Sequence, residues 1–371
     1  MEKQNKVNIH LVGGFLGSGK TTAISTASKL IQEQGIQVGV VTNDQGKYLV
    51  DSRFISAKQI PFGQVTNGCF CCNYNQLDEQ IEQLRDRQGV RLVFAESVGS
   101  CTDLIASVVK PLSIFRNGET ERITLSIFTE AELLFNFLKF RRTPFSKNIA
   151  YIYSKQIEEA EILVVNKTDL LKEDVLEKLK ILLTEKFPEK TVLYQNSLDR
   201  QSVSQWIELL AKPPGKMLPE RKSLEIDYLI YGAGEADLAW FDQEITVTSD
   251  NSDAVQIAKQ IVIQILAGTE SRNWAIGHLK FILETDTESH KISFTTNVNL
   301  SDLEKLPELN SGTAKLLVNA RIETGPEDLK KMVAGIVQNI RIESKATILE
   351  LYTSAFKPGF PNPTHRMSNA G

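Results

Sequence analysis

The sequence predicts an α/β first domain, built on a doubly wound and mostly parallel sheet, followed by a smaller α+β domain. Short apolar strands alternate with helical segments through the first half of the chain, the pattern of a parallel sheet covered by helices on both faces. A glycine-rich turn with the fixed positions of a phosphate-binding loop follows the first strand. A proline- and lysine-rich stretch at 212–216 then interrupts the alternation, and the elements beyond it follow a different order.

The predicted strands of the first domain are apolar and β-branched, as strands buried on both faces are. They are Val7–Val12, Gln37–Thr42, Arg91–Ala95, Ile123–Phe128, Glu161–Val165 and Thr191–Tyr194. The helices between them are Thr21–Gln34, Gln76–Arg87, Glu130–Leu138, Ser154–Glu159 and Lys172–Lys186. A last helix around Trp206 closes this domain, so we predict a domain over residues 1–211 and a linker over 212–222.

The second domain is predicted over residues 223–355, as two helices that cover a largely antiparallel sheet. Its strands are Glu244–Thr248, Ile276–Glu284, Lys291–Thr296, Lys315–Glu323 and Thr347–Ser354, and its helices are Asp253–Leu266 and Pro326–Ile340. Residues 356–371 are rich in proline and asparagine, so we predict an extended tail there.

Composition and charge argue against several classes of partner. The chain has a formal net charge of -4 and therefore no basic field for nucleic acid. No apolar run is long enough to cross a bilayer, and the N-terminus lacks the apolar core of a signal peptide. We therefore expect a cytoplasmic protein with neither a nucleic-acid nor a membrane partner; a homodimer is compatible with the sequence.

A complete phosphate-binding loop spans residues 14–21 and fits G-x-x-x-x-G-K-[ST] at every fixed position. Its glycines let successive backbone N–H groups turn toward phosphate oxygens, and the following helix adds the partial positive charge of its N-terminus. We predict that Lys20 reaches the β- and γ-phosphates and that the Thr21 hydroxyl binds Mg²⁺. The residues predicted to bind the phosphates are Gly14, Gly17, Ser18, Gly19, Lys20, Thr21 and Thr22.

An acidic residue and a glycine follow the strand Arg91–Ala95. Glu96 stands where P-loop proteins place the acid that holds Mg²⁺ through water, and the Gly99 N–H is placed to sense the γ-phosphate. Most GTPases have aspartate at this position, so the glutamate is a distinguishing feature. An acid that only caps the following helix is the alternative. The predicted catalytic residues are Lys20, Thr21, Glu96 and Gly99.

The run Asn166-Lys167-Thr168-Asp169 follows directly on a predicted strand and matches N-K-x-D. A carboxylate at Asp169 can accept hydrogen bonds from guanine N1–H and N2–H₂, whereas adenine offers no such pair of donors. A site built around such a group can reject the wrong base by about 10⁴ to 10⁵. We therefore predict that Asn166, Lys167 and Asp169 bind the base of GTP.

Three of the four cysteines are Cys69, Cys71 and Cys72. Adjacent cysteines are poor disulfide partners, but three thiolates so close together can bind one borderline cation such as Zn²⁺ or Co²⁺. They leave a fourth position for water, a side chain or a client, which suits transfer better than permanent structure. The alternative is that the three are buried small hydrophobic residues. Cys101, five residues past Glu96, could approach the same region, although a buried residue outside this site is the simpler explanation.

Together these motifs resemble the CobW-like family of metal-handling GTPases, relatives of the nickel-insertion GTPases of urease and hydrogenase maturation. The resemblance covers residues 7–170 closely and rests on the runs GGFLGSGKTT at 13–22, NGCFCC at 67–72, ESVG at 96–99, QIEEA at 156–160 and NKTD at 166–169. It implies hydrolysis of GTP, with Mg²⁺, coupled to delivery of Zn²⁺, Co²⁺ or a related metal to a client protein.

The sequence departs from the family pattern in two places. The family usually has Asn-Glu-Phe-Gly after the second strand, whereas this chain has Asn43-Asp44-Gln45-Gly46, with a later acid kept as Asp51. The resemblance makes Asp44 a candidate metal ligand, although its side chain is one methylene shorter than glutamate. The four histidines are scattered at 10, 278, 290 and 365, so metal storage by a histidine-rich stretch is not expected.

Three functional hypotheses follow. The first is a metallochaperone in which GTP and Mg²⁺ order the loops around Asp44–Asp51 and Glu96–Gly99 and so control the cysteine site. Its intrinsic hydrolysis should be slow, because no water-positioning residue can be named. The second is a regulatory GTPase that controls a partner metalloenzyme, such as a corrinoid-dependent methyltransferase, with structural cysteines. The third is a small-molecule kinase, against which Asn166–Asp169 speaks.

Overall fold

The computed structural model describes residues 6–43, 60–66, 68–212, 221–296, 303 and 308–369. The chain divides into two compact units. Among the described residues, the first comprises 6–43, 60–66, 68–212, 221–234 and 360–369, and the second comprises 235–296, 303 and 308–359. The domain boundaries given above stay a prediction. Among the described helices, none has the length and apolar character needed to cross a membrane.

The first unit contains a seven-stranded sheet in which every neighbouring pair of strands is parallel. The strands are β1 Val7–Gly14, β2 Val38–Asn43, β3 Phe62–Val65, β4 Leu92–Glu96, β5 Thr120–Glu130, β6 Ile162–Asn166 and β7 Thr191–Gln195. Their order in the sheet is β3-β2-β4-β1-β5-β6-β7. Because all strands run in the same direction, the loops that follow them gather at one edge of the sheet.

Helices connect these strands. They are α1 Lys20–Glu33, α2 Tyr74–Gln88, α3 Lys110–Phe115, α4 Ala131–Phe140, α5 Lys147–Glu159, α6 Glu173–Lys186 and α7 Arg200–Ala211. A π-helical turn, Ile105–Val109, leads into α3. Local chemistry sets several of the ends. The Asp199 side chain accepts the backbone N–H groups of Gln201 and Ser202 at the start of α7, which satisfies two donors that lack partners inside the helix.

Trp206 on α7 is the largest fully buried side chain against the sheet. Its ring lies 5.4 Å from that of Phe94 on β4 and 5.1 Å from that of Phe128 on β5, while its indole N–H donates to the Ser126 hydroxyl. A buried indole keeps its polar atom satisfied in this way. The helix predicted around Trp206 therefore closes this side of the sheet.

The predicted fold class is confirmed. Within residues 6–212, strand β3 and the helical segment formed by Ile105–Val109 with α3 were not predicted. Strand β3 has only four residues and includes a glycine, so it lacks the apolar run that marks the other strands. The segment from Ile105 begins as a π-helix and has a proline near the start of α3, which obscures the ordinary 3.6-residue period.

The second unit is built on a five-stranded antiparallel sheet. Its strands are β8 Leu238–Thr248, β9 Ile276–Glu284, β10 Ser289–Phe294, β11 Thr313–Glu323 and β12 Thr347–Phe356, in the order β10-β9-β11-β8-β12. Helices α9 Ala254–Ser271 and α10 Pro326–Ser344 pack their apolar residues against this sheet in one hydrophobic core. Helix α8 Tyr228–Ala236, which begins in the first unit and precedes β8, was not predicted.

His10 on β1 is buried, and its Nδ1 lies 2.6 Å from the Thr124 hydroxyl. Burial, together with the nearby charge of Arg122, lowers the pKa of His10 to about 3. Below pH 6.5 the unfolded chain therefore binds a proton that the folded chain does not, so folding stability must fall as the pH falls.

We expect His10→Gln to flatten the pH dependence of the free energy of unfolding between pH 6.5 and 4. The wild-type value should fall more steeply than that of the variant, by up to about 1.4 kcal/mol per pH unit. Urea unfolding at several pH values measures both slopes. Parallel curves for the two proteins would show that His10 does not supply this dependence.

Candidate functional site

The phosphate-binding loop joins β1 to α1. Three of its glycines, Gly14, Gly17 and Gly19, have φ values of 117°, 69° and 90°, which side chains other than hydrogen adopt only with strain. The ammonium of Lys20 lies 2.7 Å from the Gly14 carbonyl and 3.1 Å from that of Phe15, inside the loop. The loop thus has a backbone conformation suited to a bound anion, with a cation at its centre.

The remaining predicted phosphate residues lie in the same loop or in the first turn of α1. The Ser18 hydroxyl donates to the Phe15 carbonyl at 2.7 Å. Thr21 and Thr22 belong to the first turn of α1, which puts the N-terminus of that helix at the loop. The sequence prediction for residues 14–22 therefore corresponds to one continuous cradle.

Glu96 ends β4 beside β1. The Thr21 hydroxyl donates to its Oε1 at 2.8 Å, and both side chains are buried. Two hard oxygen donors so close together suit Mg²⁺, which prefers oxygen ligands. This contact directs the Glu96 carboxylate toward the phosphate loop.

The loop after β4, residues 96–103, packs directly on the phosphate loop. A Cβ atom at Gly99 would lie 2.9 Å from the backbone nitrogen of Leu16, so only glycine allows this approach. The amide of Gln156 on α5 donates to the carbonyls of Gly99 at 2.9 Å and of Cys101 at 2.8 Å. One side chain therefore ties these two carbonyls together.

Asn166 at the end of β6 joins the phosphate loop to the loop after β7. Its Nδ2 donates to the Ser18 carbonyl at 2.7 Å, while its Oδ1 accepts from the backbone N–H and the hydroxyl of Ser197 at 3.0 Å and 2.9 Å. Its buried amide thus joins the phosphate loop to the loop after β7.

Lys167 and Asp169 follow in a tight turn. Lys167 has a left-handed φ of 60°, and its ammonium pairs with Glu130 at 3.2 Å. Asp169 lies in the short 3₁₀ turn Thr168–Leu170 with its carboxylate exposed, where it is accessible to a ligand. The predicted base-reading residues thus lie at the same edge of the sheet as the phosphate loop.

The cysteine loop, residues 68–73, connects β3 to α2. The Sγ atoms of Cys69 and Cys71 lie 2.6 Å apart, those of Cys69 and Cys72 3.2 Å, and those of Cys71 and Cys72 3.8 Å. Among the described residues, these three cysteines form the one group of at least three potential metal ligands whose donor atoms all lie within 4.8 Å of one another. The structure therefore brings together the three predicted thiol ligands.

Hydrogen bonding makes these thiols unequal. Contacts with the thiols of Cys101, Cys71 and Cys72 lower the pKa of Cys69 well below its usual range. The hydrogen bond to Cys69 raises the pKa of Cys71, and a hydrogen bond to Cys69 together with burial raises the pKa of Cys72 to about 11. A thiolate on Cys69 surrounded by thiol donors is the arrangement that these contacts favour.

Two sequence expectations need comment. Cys101 was expected to lie outside the cysteine group, yet its buried thiol hydrogen-bonds that of Cys69. Asp44, the fourth metal candidate, lies outside the described residues, as do Asp51 and Asn67.

Asn43, the last residue of β2, holds the cysteine loop and was given no role by the sequence. Its Nδ2 donates to the Gly68 carbonyl at 2.7 Å, and its Oδ1 accepts the Phe70 N–H at 2.9 Å. Its position in the sequence could have indicated this role, because a polar side chain at the carboxyl end of a parallel strand lies close to the loops that follow the neighbouring strands.

A second segment that the sequence left without a role is the C-terminal strap, residues 360–369, which belongs to the first unit. The Thr364 N–H donates to the Cys71 carbonyl and its hydroxyl to the Cys72 carbonyl, both at 2.8 Å. The Asn362 N–H approaches the Cys72 Sγ at 3.3 Å. Three further contacts hold the strap. The His365 ring packs edge-on against Tyr74 and Phe115, the Arg366 guanidinium donates to the Asp103 carboxylate, and the Met367 N–H donates to the Ala106 carbonyl.

The parallel sheet, the phosphate loop and the contact between Thr21 and Glu96 define the chain as a P-loop nucleotide-binding protein. A family model described as the CobW/HypB/UreG nucleotide-binding domain matches residues 8–194, which is half of the chain. The chain belongs to the CobW/HypB/UreG family, which comprises GTP-hydrolysing P-loop enzymes. The resemblance seen in the sequence is thereby confirmed.

Two curated relatives are named for zinc. Zinc chaperone YjiA of Escherichia coli (strain K12) is 34% identical over 83 residues, which are 22% of this chain and 26% of the relative. Zinc-regulated GTPase metalloprotein activator 1 of Dictyostelium discoideum is 21% identical over 272 residues, which are 62% of this chain and 56% of the relative. The chain thus spans about a quarter and about half of the lengths of these relatives.

This chain is also similar to the crystal structure of the Zn(II)-bound YjiA GTPase from E. coli. The alignment covers 90% of this chain and 99% of the YjiA chain, with 13% sequence identity and a TM-score of 0.38. A score at this level adds nothing to the family assignment, which rests on the match over residues 8–194.

Proposed function

We propose that this chain is a GTP-binding and GTP-hydrolysing metallochaperone. It binds a divalent transition metal, Zn²⁺ or Co²⁺, through Cys69, Cys71 and Cys72 and delivers the ion to a client protein in a nucleotide-dependent way. The observation that carries the proposal is the group of three thiols within 4.8 Å of one another, at the sheet edge that also holds the phosphate loop. The names of the two zinc relatives support the choice of metal.

The nucleotide residues have distinct roles in this proposal. The amides of the phosphate loop and the ammonium of Lys20 bind and neutralise the β- and γ-phosphates, and Asp169 accepts the guanine N–H groups. Mg²⁺ would be held by Thr21 and, through water, by Glu96, where it would neutralise charge on the phosphate oxygens. Asn166 orients the loops around the base rather than reading it, because its amide is already engaged by Ser18 and Ser197.

Coupling between nucleotide and metal is supported by the sheet order. Strand β2 separates β3, which precedes the cysteine loop, from β4, which precedes the loop that contains Gly99. Asn43 at the end of β2 grips the cysteine loop through two hydrogen bonds. Only the end of β2 therefore separates the loop that contains Gly99 from the cysteine loop. A conformational change caused by the γ-phosphate can reach the thiols through Asn43.

The test is a titration of Zn²⁺ and Co²⁺ into reduced protein with Mg²⁺ and either GDP or a non-hydrolysable GTP analogue. We expect one-to-one binding whose affinity changes at least tenfold between the nucleotides, about 1.4 kcal/mol of coupling. Cys71→Ser should weaken binding at least tenfold in the tighter state, since it removes one of three thiolates. Ser113→Ala, which removes a half-buried hydroxyl from α3, serves as a matched control.

The burial of Cys69 and Cys71, 3% and 2% exposed, favours a second candidate in which the thiols are structural. The chain would then be a regulatory GTPase that controls a partner metalloenzyme, for example a corrinoid-dependent one, without carrying metal itself. Metal affinity that is equal in the two nucleotide states, or that survives Cys71→Ser, would support this candidate and contradict delivery.

The proposal also specifies a compartment and a partner. Thiol ligands must remain reduced to bind metal, and the cytoplasm keeps thiols reduced, so we place the activity there. The partner is a client metalloprotein whose apo site accepts the ion. Pull-down with the metal-loaded, GTP-analogue-bound chain, compared with the GDP-bound chain, would identify such a client.

A further inference from the structure

The fourth cysteine carries a further inference. Cys101 is fully buried, and its thiol hydrogen-bonds that of Cys69 although the two residues lie in different loops. Cys101 is not among the described side chains that lie mutually within 4.8 Å, so it contacts one member of the cysteine group without completing it. A buried thiol with no chemical role would more often face apolar side chains.

The fold explains why Cys101 reaches this place. The cysteine loop follows β3 and Cys101 follows β4, and these strands are parallel with only β2 between them. Their loops therefore emerge at the same edge of the sheet. The Cys101 N–H closes a turn on the Val98 carbonyl at 3.0 Å, directly after β4.

The chemistry of zinc leaves one position for a fourth donor. Zn²⁺ takes four tetrahedral ligands, and the three clustered thiols supply three. Cys101 offers the same soft donor already in contact with Cys69. The nearby His365 is a poorer candidate, because its ring packs edge-on against Tyr74 and Phe115, with each centroid 5.0 Å away.

Cys101 is also mechanically joined to the phosphate loop. It lies two residues after Gly99, which abuts the Leu16 backbone, and the Gln156 amide binds the carbonyls of both Gly99 and Cys101. The segment 99–101 is short, and the Gln156 amide binds it at both ends, so a displacement of Gly99 by a γ-phosphate would move Cys101 with it.

We infer that Cys101 is the fourth thiolate ligand of the cargo ion, and that GTP moves it into the group formed by Cys69, Cys71 and Cys72. On ligation the Cys101 thiol loses its proton to solvent and forms a metal–sulfur bond. After hydrolysis the loop withdraws Cys101, the metal–sulfur bond breaks and the released thiolate takes a proton back from solvent, so the ion keeps three protein thiolates and one open position for a client ligand. This inference rests on the proposed metallochaperone function.

Zinc X-ray absorption of the full chain, with Mg²⁺ and either the GTP analogue or GDP, counts the sulfur ligands directly. With the analogue, wild-type protein should show four sulfurs at about 2.3 Å. Cys101→Ser and Cys101→Ala should show three, with one oxygen at about 2.0–2.2 Å. With GDP, all three proteins should show three sulfurs.

Zinc affinity measured alongside should fall at least tenfold in both Cys101 variants with the analogue and change little with GDP, so the nucleotide dependence should disappear. Ser100→Ala, which removes a neighbouring buried hydroxyl, should keep four sulfurs. Thermal unfolding shows whether each variant is folded, and agreement between the serine and alanine variants excludes an effect of one substitution.

The outcomes separate this inference from the function on which it rests. Three sulfurs in the wild-type protein with the analogue, or an unchanged sulfur count in both Cys101 variants, would overturn the fourth ligand. If affinity still depended on nucleotide in that case, metal delivery would stand without Cys101. Four sulfurs with equal affinity in both nucleotides would support Cys101 as a ligand and overturn nucleotide-dependent delivery.

Discussion

Asp169→Asn should lower the affinity for GTP by about 10²- to 10⁴-fold and create affinity for xanthosine triphosphate. The carboxylate accepts hydrogen bonds from guanine N1–H and N2–H₂, and hydrogen bonds to a charged group contribute roughly 1.5–3 kcal/mol each. An asparagine amide keeps one acceptor but presents a donor to N2–H₂, so one bond is lost and two donors face each other. Xanthine carries a carbonyl at C2, which accepts from the new amide.

Calorimetric titration with GTP, ATP and xanthosine triphosphate measures this change. Asp174→Asn is the matched control, because Asp174 is an exposed acid in the first turn of the adjacent helix α6, paired with Lys178. That variant should keep wild-type GTP affinity. Equal GTP affinity in the Asp169 and Asp174 variants would contradict the assignment of Asp169 as the guanine reader, and tighter binding of ATP than GTP would favour a kinase.

Lys20→Met should reduce the rate of GTP hydrolysis by about 10²- to 10³-fold, the loss expected when one preorganised charged donor is removed from a phosphoryl-transfer site. The ammonium already lies within the loop, held by the carbonyls of Gly14 and Phe15. It therefore needs little reorganisation to meet the phosphates. Methionine fills a similar volume without the charge, so the effect measures electrostatics rather than packing.

Phosphate release under single-turnover conditions, with saturating nucleotide, separates hydrolysis from binding. Lys29→Met is the comparison, since Lys29 is an exposed residue of the same helix, and its hydrolysis rate should match the wild type. A Lys20→Met rate within a few-fold of wild type would show that this loop does not carry out hydrolysis.

Much of this architecture could be predicted because buried parallel strands carry an apolar signal that does not depend on distant contacts. The predicted strand Val7–Val12 and helix Thr21–Gln34 correspond to β1 and α1 to within two residues at each end. The phosphate loop and the three clustered cysteines are local in sequence, so spacing alone indicated their chemistry. Both motifs lie at the sheet edge where the fold rule places ligands.

The features that were missed depend on contacts between distant segments. Asn43 is a short polar residue whose role appears only when β2 lies beside β3 and β4. The contact of Cys101 with Cys69 needs the same strand order, since the two are separated by a helix and a strand along the chain. No pattern within a short window contains that information.

The strap has a consequence for the order of folding. The Asn362 N–H meets the Cys72 sulfur across 290 positions of sequence, and the described residues of the second unit all lie between them. Contacts of such long sequence separation form late, because the loop they close carries a large entropic cost. The cysteine loop therefore acquires its final backbone partners only after the rest of the first unit has formed. In a molecule arrested early in folding, the cysteine loop would lack these backbone partners and its thiols would bind metal with lower affinity. High-affinity metal binding would therefore indicate that folding is complete.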